Sequence, residues 1–298
     1  MTHLLAVGLG YTARVVAESV RTDGWSVTGS ARSTEKIEAL KTAGFGMLAF
    51  DPASGVVPEA LPEGTTHLLV SASPDDDGDP VLNTLDDALV TLPGLEWVGY
   101  LSTIGVYGNY DGAWIDETAE RNSTSVRARR RVVAEDAWQA FGARTGVAVQ
   151  VFRLPGIYGP GRNPLERVLA GKSRRIVKPG QVFNRAHVDD IAQTVVASMR
   201  KPRAGAVYNI ADDEPAPPQD VIAFSAELLG MEPPPEENFD DADMTEMARQ
   251  FYGDNKRISN ALIKSELGVV LKYPTYREGL RQLREAIDRG LRPDMNQP

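Results

Sequence analysis

The residues with the clearest chemical use stand near the start of the chain. Gly8 and Gly10 lie in GLGYTA, a GxGxxA turn completed by Ala13. Glycine permits a tight turn and lets a phosphate approach the backbone, and alanine at the last position still permits close helix packing. The free N–H groups of a following helix favour a pyrophosphate, so Gly8, Gly10, Tyr11, Thr12 and Ala13 are expected to hold a dinucleotide. A second stretch, TGSARS, supplies Ser30, Arg32 and Ser33 where an acidic residue would take the adenosine ribose hydroxyls. Arg32 can instead pair with a 2′-phosphate, which points to NADP as the preferred cofactor and NAD as the alternative. Asp51 is placed either to accept from the adenine amino group or to cap the next turn. Ser71 and Ala72 are small enough for the dinucleotide backbone to lie close.

These residues need elements to position them. HLLAVGLG is a short apolar strand ending in glycines, and the YTARVVAESVRTDG that follows has a helical pattern stopped by Gly24. WSVTGSA and STEKIEALKTAG repeat that order, with Ser33 or Thr34 as cap and Gly44 as stop. Further buried strands are expected at 46–50, 66–73, 95–102 and 147–154. Their continuous apolar character suits an α/β fold, a doubly wound parallel sheet covered by helices on both faces. A long helix is expected within 123–146. At 100° per residue Val126, Val133, Ala137 and Phe141 form its core stripe, flanked by Arg127 and Arg131 about 40° apart. After Pro160 the alternation breaks. Residues 1–160 and 187–201 are assigned to the nucleotide-binding domain, with VDDIAQTVVASMR as a returning helix. Residues 161–186 and 202–298 form a smaller, discontinuous C-terminal α+β lobe that holds substrate.

Composition narrows the functions. With 42% hydrophobic and 24% charged residues the chain falls in the ordinary globular range, and 298 residues suffice for two lobes. No apolar run is long enough to cross a membrane, and MTHLLAVGLG lacks the basic start and long apolar stretch of a secretion signal. A cytoplasmic location is the expectation. The absence of cysteine removes disulfides, thiolate ligands and cysteine nucleophiles. His3, His67 and His187 show no metal-ligand spacing. A net charge of −9 argues against nucleic acid or an anionic membrane as partner. The acidic excess is concentrated at 231–246, read as a solvated linker or flap over the substrate region.

Taken in order, GLGYTA, YLSTIGVYG at 100–108, RLPGIYGPGR at 153–162, NRAHVDDIA at 184–192, YNIADDEP at 208–215 and YPTYREGL at 273–280 carry a family likeness. The chain resembles the extended and atypical short-chain dehydrogenase/reductase superfamily, especially its nucleotide-sugar epimerase and dehydratase branch. The resemblance implies a Rossmann-type nicotinamide-binding domain, a substrate lobe and chemistry in the cleft between them. It implies an NAD(P)-dependent oxidoreductase or epimerase/dehydratase acting on a hydroxyl-bearing, anionic sugar derivative, and a homodimer is one expected assembly. By the match of STIGVYG to SSxxVYG, Thr103 assists oxidation at the substrate oxygen and Ser102 is its small neighbour on the substrate. Tyr107 shapes the cleft and is a candidate for a displaced acid.

The departure from the family is on the next helix. Its members usually carry YxxxK followed by glutamate four residues on. Anchoring on Glu135 puts Arg127 at the tyrosine and Arg131 at the lysine. Arginine stays protonated and does not readily abstract a proton. Arg131 can hold the nicotinamide ribose and stabilise negative charge, and Arg127 can orient a carboxylate or phosphate. Pro155, Gly156 and Ile157 match residues beside the nicotinamide. Asp79, Arg162, Arg175 and His187 are the remaining substrate candidates, and Asp189 is a helix cap. Lys172, Arg174, Arg175, Lys178 and Arg185 make the lobe locally basic, which fits a phosphorylated substrate. The missing tyrosine also supports a different class, a catalytically weak or inactive NADP-binding sensor or regulatory protein.

Overall fold

Strand and helix patterns alternate along the first half of the chain and set the order of its elements. The computed structural model describes residues 2–290. The order begins β1 (His3–Val7), α1 (Tyr11–Thr22), β2 (Ser26–Ala31), α2 (Thr34–Thr42), β3 (Gly46–Ala49), β4 (His67–Val70), α3 (Pro80–Val90) and β5 (Trp97–Thr103). It continues through β6 (Trp114–Ile115), α4 (Val126–Thr145), β7 (Ala148–Leu154), β8 (Gly156–Tyr158), α5 (Pro164–Leu169), β9 (Arg175–Val177), β10 (Arg185–His187) and α6 (Val188–Arg200). Then come β11 (Ala206–Asn209), α7 (Pro218–Leu229), β12 (Glu236–Asn238), α8 (Glu246–Phe251), β13 (Arg257–Ile258), α9 (Ala261–Leu267) and α10 (Tyr276–Asp288).

Seven strands form one parallel sheet in the order β3-β2-β1-β4-β5-β7-β11. Apolar residues on both faces require cover on both. On one side α1 and α6 bury Ala13, Val16, Ile191 and Val195. On the other, α3 and α4 bury Leu85, Leu89, Trp138 and Phe141. This is a Rossmann-type doubly wound sheet. Strand order reverses between β1 and β4, so the crevice for a ligand opens at their carboxyl ends. The seventh strand comes from residues 206–209, which the sequence pattern grouped with the second lobe. It pairs with β7 from Ala206 opposite Gln150 to Asn209 opposite Arg153.

Helix α4 turns a different face inward from the one its valines suggested. Val126 and Val133 are exposed at 54% and 58%, while Ala128, Ala134, Glu135, Trp138 and Phe141 are buried. The large Trp138 ring and a buried ion pair at Glu135 set the rotation, and small alanines let the helix approach the sheet. The second lobe has its own core of Tyr158, Leu165, Val221, Tyr276, Leu280 and Leu283. Part of the acidic stretch 231–246 is ordered there, because β12 pairs in parallel with β9. Among the described residues no helix is long and apolar enough to cross a membrane.

Candidate functional site

A cavity of about 730 Å³ opens at the carboxyl ends of β1 and its neighbours. Gly8 follows β1 with φ of 87°, a left-handed conformation that favours glycine. A Cβ there would also lie 3.1 Å from the Ala72 backbone nitrogen. The turn is held by Gly8 N–H donating to Ser30 Oγ at 3.0 Å and Leu9 N–H to the Ser30 carbonyl at 2.8 Å. Ser30 thus supports the turn from below. Gly10 caps α1 without a side-chain acceptor, which leaves first-turn N–H groups for an anion. Thr12 and Ala13 are buried beneath that turn. Tyr11 reaches toward the turn after β8, where its hydroxyl donates to the Pro160 carbonyl at 3.0 Å and Arg162 lies 5.8 Å from its ring centre.

Arg32, Ser33, Asp51, Ser71 and Ala72 line the same cavity, together with Lys36, Ser73 and Asp75, which sequence reasoning missed. Ser33 caps α2, and Asp51 accepts from the Ser54 hydroxyl at 2.8 Å. Ser73 was within reach of the sequence, since it is the next small residue after the β4 end.

Arg131 is anchored beside this cavity. Its Nη1 donates to the Leu101 carbonyl at 2.8 Å and the Tyr100 hydroxyl at 3.0 Å, and its Nη2 donates to Ser73 Oγ at 3.1 Å. A longer contact of 3.4 Å reaches the Ala72 carbonyl. Four partners from the ends of β4 and β5 therefore fix one guanidinium. Arg127, one turn earlier, is exposed. The loop before α3 is tied to the same helix by the Arg130–Asp76 ion pair. Thr103 is half-buried at the end of β5, where its Oγ accepts from Gly105 N–H at 3.1 Å and keeps its own proton to donate.

Other sequence candidates are engaged by the protein itself. Ser102 is buried and donates to Glu135. Tyr107 is buried with its hydroxyl between Asn209, at 2.8 Å, and Arg153, at 2.8 Å. Burial pushes its phenol up, so it is no readily titrated acid. Both belong to a network centred on Arg153, whose Nη2 lies 2.7 Å from Glu135. A lone arginine inside the apolar run VAVQVFRL was the available signal for that pair. Asp79 is buried and caps α3 by accepting from Val81 and Leu82 N–H groups, and desolvation raises its carboxyl. His187 is 1% exposed, so it does not line an open cleft. Its Nδ1 accepts from Asp189 N–H at 3.2 Å, and Tyr273 lies 4.1 Å from its ring. Burial lowers it to about 4, leaving a neutral imidazole.

The basic set in the second lobe is largely engaged by the protein itself. Arg174 pairs with Glu237, Arg175 with Glu236 at 2.7 Å, and Lys178 donates to the Tyr252 carbonyl. Arg175 therefore faces β12. Pro155 and Ile157 follow β7, and β8 pairs with β10 from Gly156 opposite Arg185 to Tyr158 opposite His187. Arg162 is exposed near the mouth of the interlobe region.

Residues 80–211 match the model of the NAD dependent epimerase/dehydratase family. Protein YeeZ of Escherichia coli (strain K12) is 29% identical over 287 residues, which cover 92% of this chain and 97% of YeeZ. A functionally unknown conserved protein from Silicibacter pomeroyi is 50% identical, with a TM-score of 0.88 over 97% of this chain and 100% of its own. UDP-glucuronic acid 4-epimerase from Bacillus cereus, solved in complex with NAD, is 16% identical with a TM-score of 0.75, over 97% and 99% of the two chains. At that identity the likeness is one of fold.

The expectation of NADP is corrected by these relatives. Similar solved structures whose names state a dinucleotide name NAD. The inference from Arg32 failed for a physical reason. Arg32 is exposed at the edge of the cavity, where an arginine by itself does not select a 2′-phosphate over the ribose hydroxyls. Asp51 lines the same cavity, and a carboxylate there opposes an added phosphate charge.

Proposed function

Residues 80–211 match the NAD dependent epimerase/dehydratase family model, and we propose that the chain is a member of that family and an NAD-dependent oxidoreductase or epimerase-like enzyme acting on a hydroxyl-bearing, anionic sugar derivative. The observation that carries this reading is one arrangement at the carboxyl ends of β1, β4 and β5. A glycine turn and an uncapped helix border the cavity, and Arg131 is locked to two of its lining residues, Ala72 and Ser73. The residues fit the dinucleotide: a Cβ at Gly8 would be strained by its positive φ and would crowd the Ala72 nitrogen, and the α1 N–H groups have no side-chain acceptor.

When bound, NAD supplies a hydride acceptor and donor. The first turn of α1 binds its pyrophosphate, and Ser71 and Ala72 let its backbone lie close. Pro155 and Ile157 flank its nicotinamide. Arg131 holds the ribose hydroxyls, a role its fixed plane suits better than a mobile ammonium would. Thr103 donates its hydroxyl proton to the substrate oxygen as negative charge develops there. Arg162 draws the anionic substrate toward the cleft. With Arg127 in place of tyrosine, that position offers no group that removes a proton at neutral pH. Turnover of ordinary sugar nucleotides is therefore expected to be slow. That same exposed arginine favours a second reading, an NAD-binding sensor that does not turn over. The protomers pair as a homodimer through α3 and α4, which leave Val90, Val126 and Val133 exposed.

Calorimetric titration tests the cofactor assignment. NAD is expected to bind more tightly than NADP, and Gly10→Val to weaken NAD at least tenfold by meeting the pyrophosphate. A Cβ at Gly10 has no protein atom nearer than the Gly8 carbonyl at 3.9 Å, so the variant reports on the ligand and not on the fold. Unchanged affinity in the folded variant would remove the dinucleotide from this turn. Change in nicotinamide absorbance on adding sugar acids distinguishes enzyme from sensor.

A further inference from the structure

Lys256 is held inside the protein, 5% exposed, a costly place for an ammonium group. Its Nζ donates to the Gly108 carbonyl at 2.6 Å, and its counterion, the half-exposed Asp254, lies at 3.6 Å. Burial lowers the ammonium from its ordinary value, and Asp254 opposes that shift. The carbonyl it meets is the exit of a short turn that begins at Thr103. Thr103 caps the single 3-10 turn Ile104–Tyr107 by accepting from Gly105 N–H, and Gly108 closes the turn with φ of 71°. The carbonyls of the turn are engaged one after another: Gly105 by Gly108 N–H, Val106 by Ser123 N–H, and Tyr107 by Asn122 N–H. Gly108 is next in line, and its donor is the Lys256 side chain, from 148 residues further along the chain.

The segment around Lys256 is tied on two sides. Asn255, its neighbour, donates from its backbone N–H to Asn109 Oδ1 at 2.9 Å, and its carbonyl accepts from the N–H groups of Tyr110 and Gly112, each at 3.0 Å. Those contacts reach the loop that leaves Gly108. The Asn255 side chain meets the second lobe: Nδ2 donates to the Gly180 carbonyl at 3.0 Å, and Oδ1 accepts from Val182 N–H at 3.2 Å. Asn184 continues the seam by donating to the Lys256 carbonyl at 3.0 Å. The second lobe thus grips Lys256 through its backbone, while the ammonium grips the turn after β5. We infer that Lys256 is a positioning residue, which carries the placement of the second lobe to the Thr103 hydroxyl through the Gly108 carbonyl. A short 3-10 turn has few and poorly aligned hydrogen bonds of its own, so an outside donor at its exit decides how its first residue is held. An ammonium suits the task, because it offers three donors on a long stem and its charge-assisted bond is stronger than a neutral one. Placement matters at a reacting group, where a shift of about 1 Å costs on the order of a hundredfold in rate.

This inference rests on the role proposed for Thr103, and the test keeps the two apart. NAD-saturated protein, isotope-labelled at the threonine methyls, is followed by NMR, with the Thr103 signal assigned from Thr103→Ser. In Lys256→Met the Thr103 signal is expected to shift or broaden, while those of Thr28 on β2 and Thr194 on α6 stay in place. Lys256→Arg keeps a cationic donor and should return the signal toward its original position. Lys256→Gln, polar but too short to reach the carbonyl, is the second variant should Lys256→Met fail to fold. An unmoved Thr103 signal in the folded Met or Gln variant overturns the inference, as does a displacement that Lys256→Arg does not reduce. With a sugar acid that changes the nicotinamide absorbance, hydride transfer should slow at least tenfold in Lys256→Met at unchanged NAD affinity, and an unaltered rate likewise overturns it. Absence of any absorbance change in the unaltered protein would instead overturn the enzymatic reading, with the Thr103 signal still deciding whether Lys256 holds the turn.

Discussion

At the scale of single residues, environment changed the role of several side chains without changing their identity. His187 was a substrate candidate by motif, but enclosure between Tyr158 and Tyr273 makes it a neutral helix cap. Its folded value of about 4 lies below the ordinary 6.5, so the unfolded chain binds the proton more readily. Stability from this group is therefore complete above pH 6.5 and declines as the pH falls from 6.5 toward 4. Lys272 adds to the lowering, whereas Asp189 opposes it. A shift of that size corresponds to a loss on the order of 3 kcal/mol at pH 4. Buried Asp190 has a raised value and acts in the opposite sense, so the measurement must be a difference. His187→Asn retains a cap acceptor and removes the titration. Urea unfolding between pH 7 and 4 is expected to show a shallower decline in the variant, and parallel curves would refute the assignment.

At the scale of elements, α4 joins structure to site. One face locks Arg131 to the ends of β4 and β5, and the next turn buries Glu135 against Arg153 of β7. Glu135 is 2% exposed and Arg153 4% exposed, so removal of the acid leaves a buried charge without its counterion. Glu135→Ala is predicted to lower stability by about 3–5 kcal/mol, the range for breaking a buried pair from one side. Glu135→Leu combined with Arg153→Met should cost less than the sum of the single changes. Chemical denaturation of the four proteins reads this directly, and simple additivity would show that the pair is not coupled. The sequence made the helix and its approximate ends legible, through its periodicity and Gly146. It did not reveal the buried face, because a hydrophobic count ranks Val126 and Val133 above a glutamate. Only the arginine on the facing strand reverses that ranking.

At the scale of the whole molecule, two helices on one side of the sheet carry uncovered apolar residues. α3 and α4 are joined by Arg144–Asp86 at 2.6 Å, and Val90, Val126 and Val133 remain exposed beside them. Scattered apolar residues are common on monomers, so the proposed homodimer needs a direct measurement. Light scattering of the purified protein is predicted to give about twice the 32.4 kDa chain mass, and Val133→Glu to shift the distribution toward the monomer. A monomer at all micromolar concentrations would dismiss this surface as an interface. The acidic 231–246 stretch shows the same dependence on scale. Read alone it is a solvated flap, whereas in the fold Glu236 and Glu237 pair with Arg175 and Arg174 and β12 adds to β9.

Local pattern was enough for the glycine turn, the first six strands of the main sheet and the family likeness. Each of these depends on local pattern: an apolar run fixes a strand, and a turn with φ near 87° calls for glycine at position 8. Tertiary structure decided which polar groups face a cavity and which face one another. Ser102 near the end of β5 and Tyr107 just after it share a motif that suggests chemistry, yet their partners come from α4, β7 and β11, far along the chain. The last strand of the sheet was equally nonlocal, since four residues acquire their place only by pairing with β7. Arg185 looked like one member of a basic cluster. Pairing or carbonyl contacts occupy Arg174, Arg175, Lys178 and Arg185 alike, because hydrogen bonding depends on distance and direction that linear spacing does not specify.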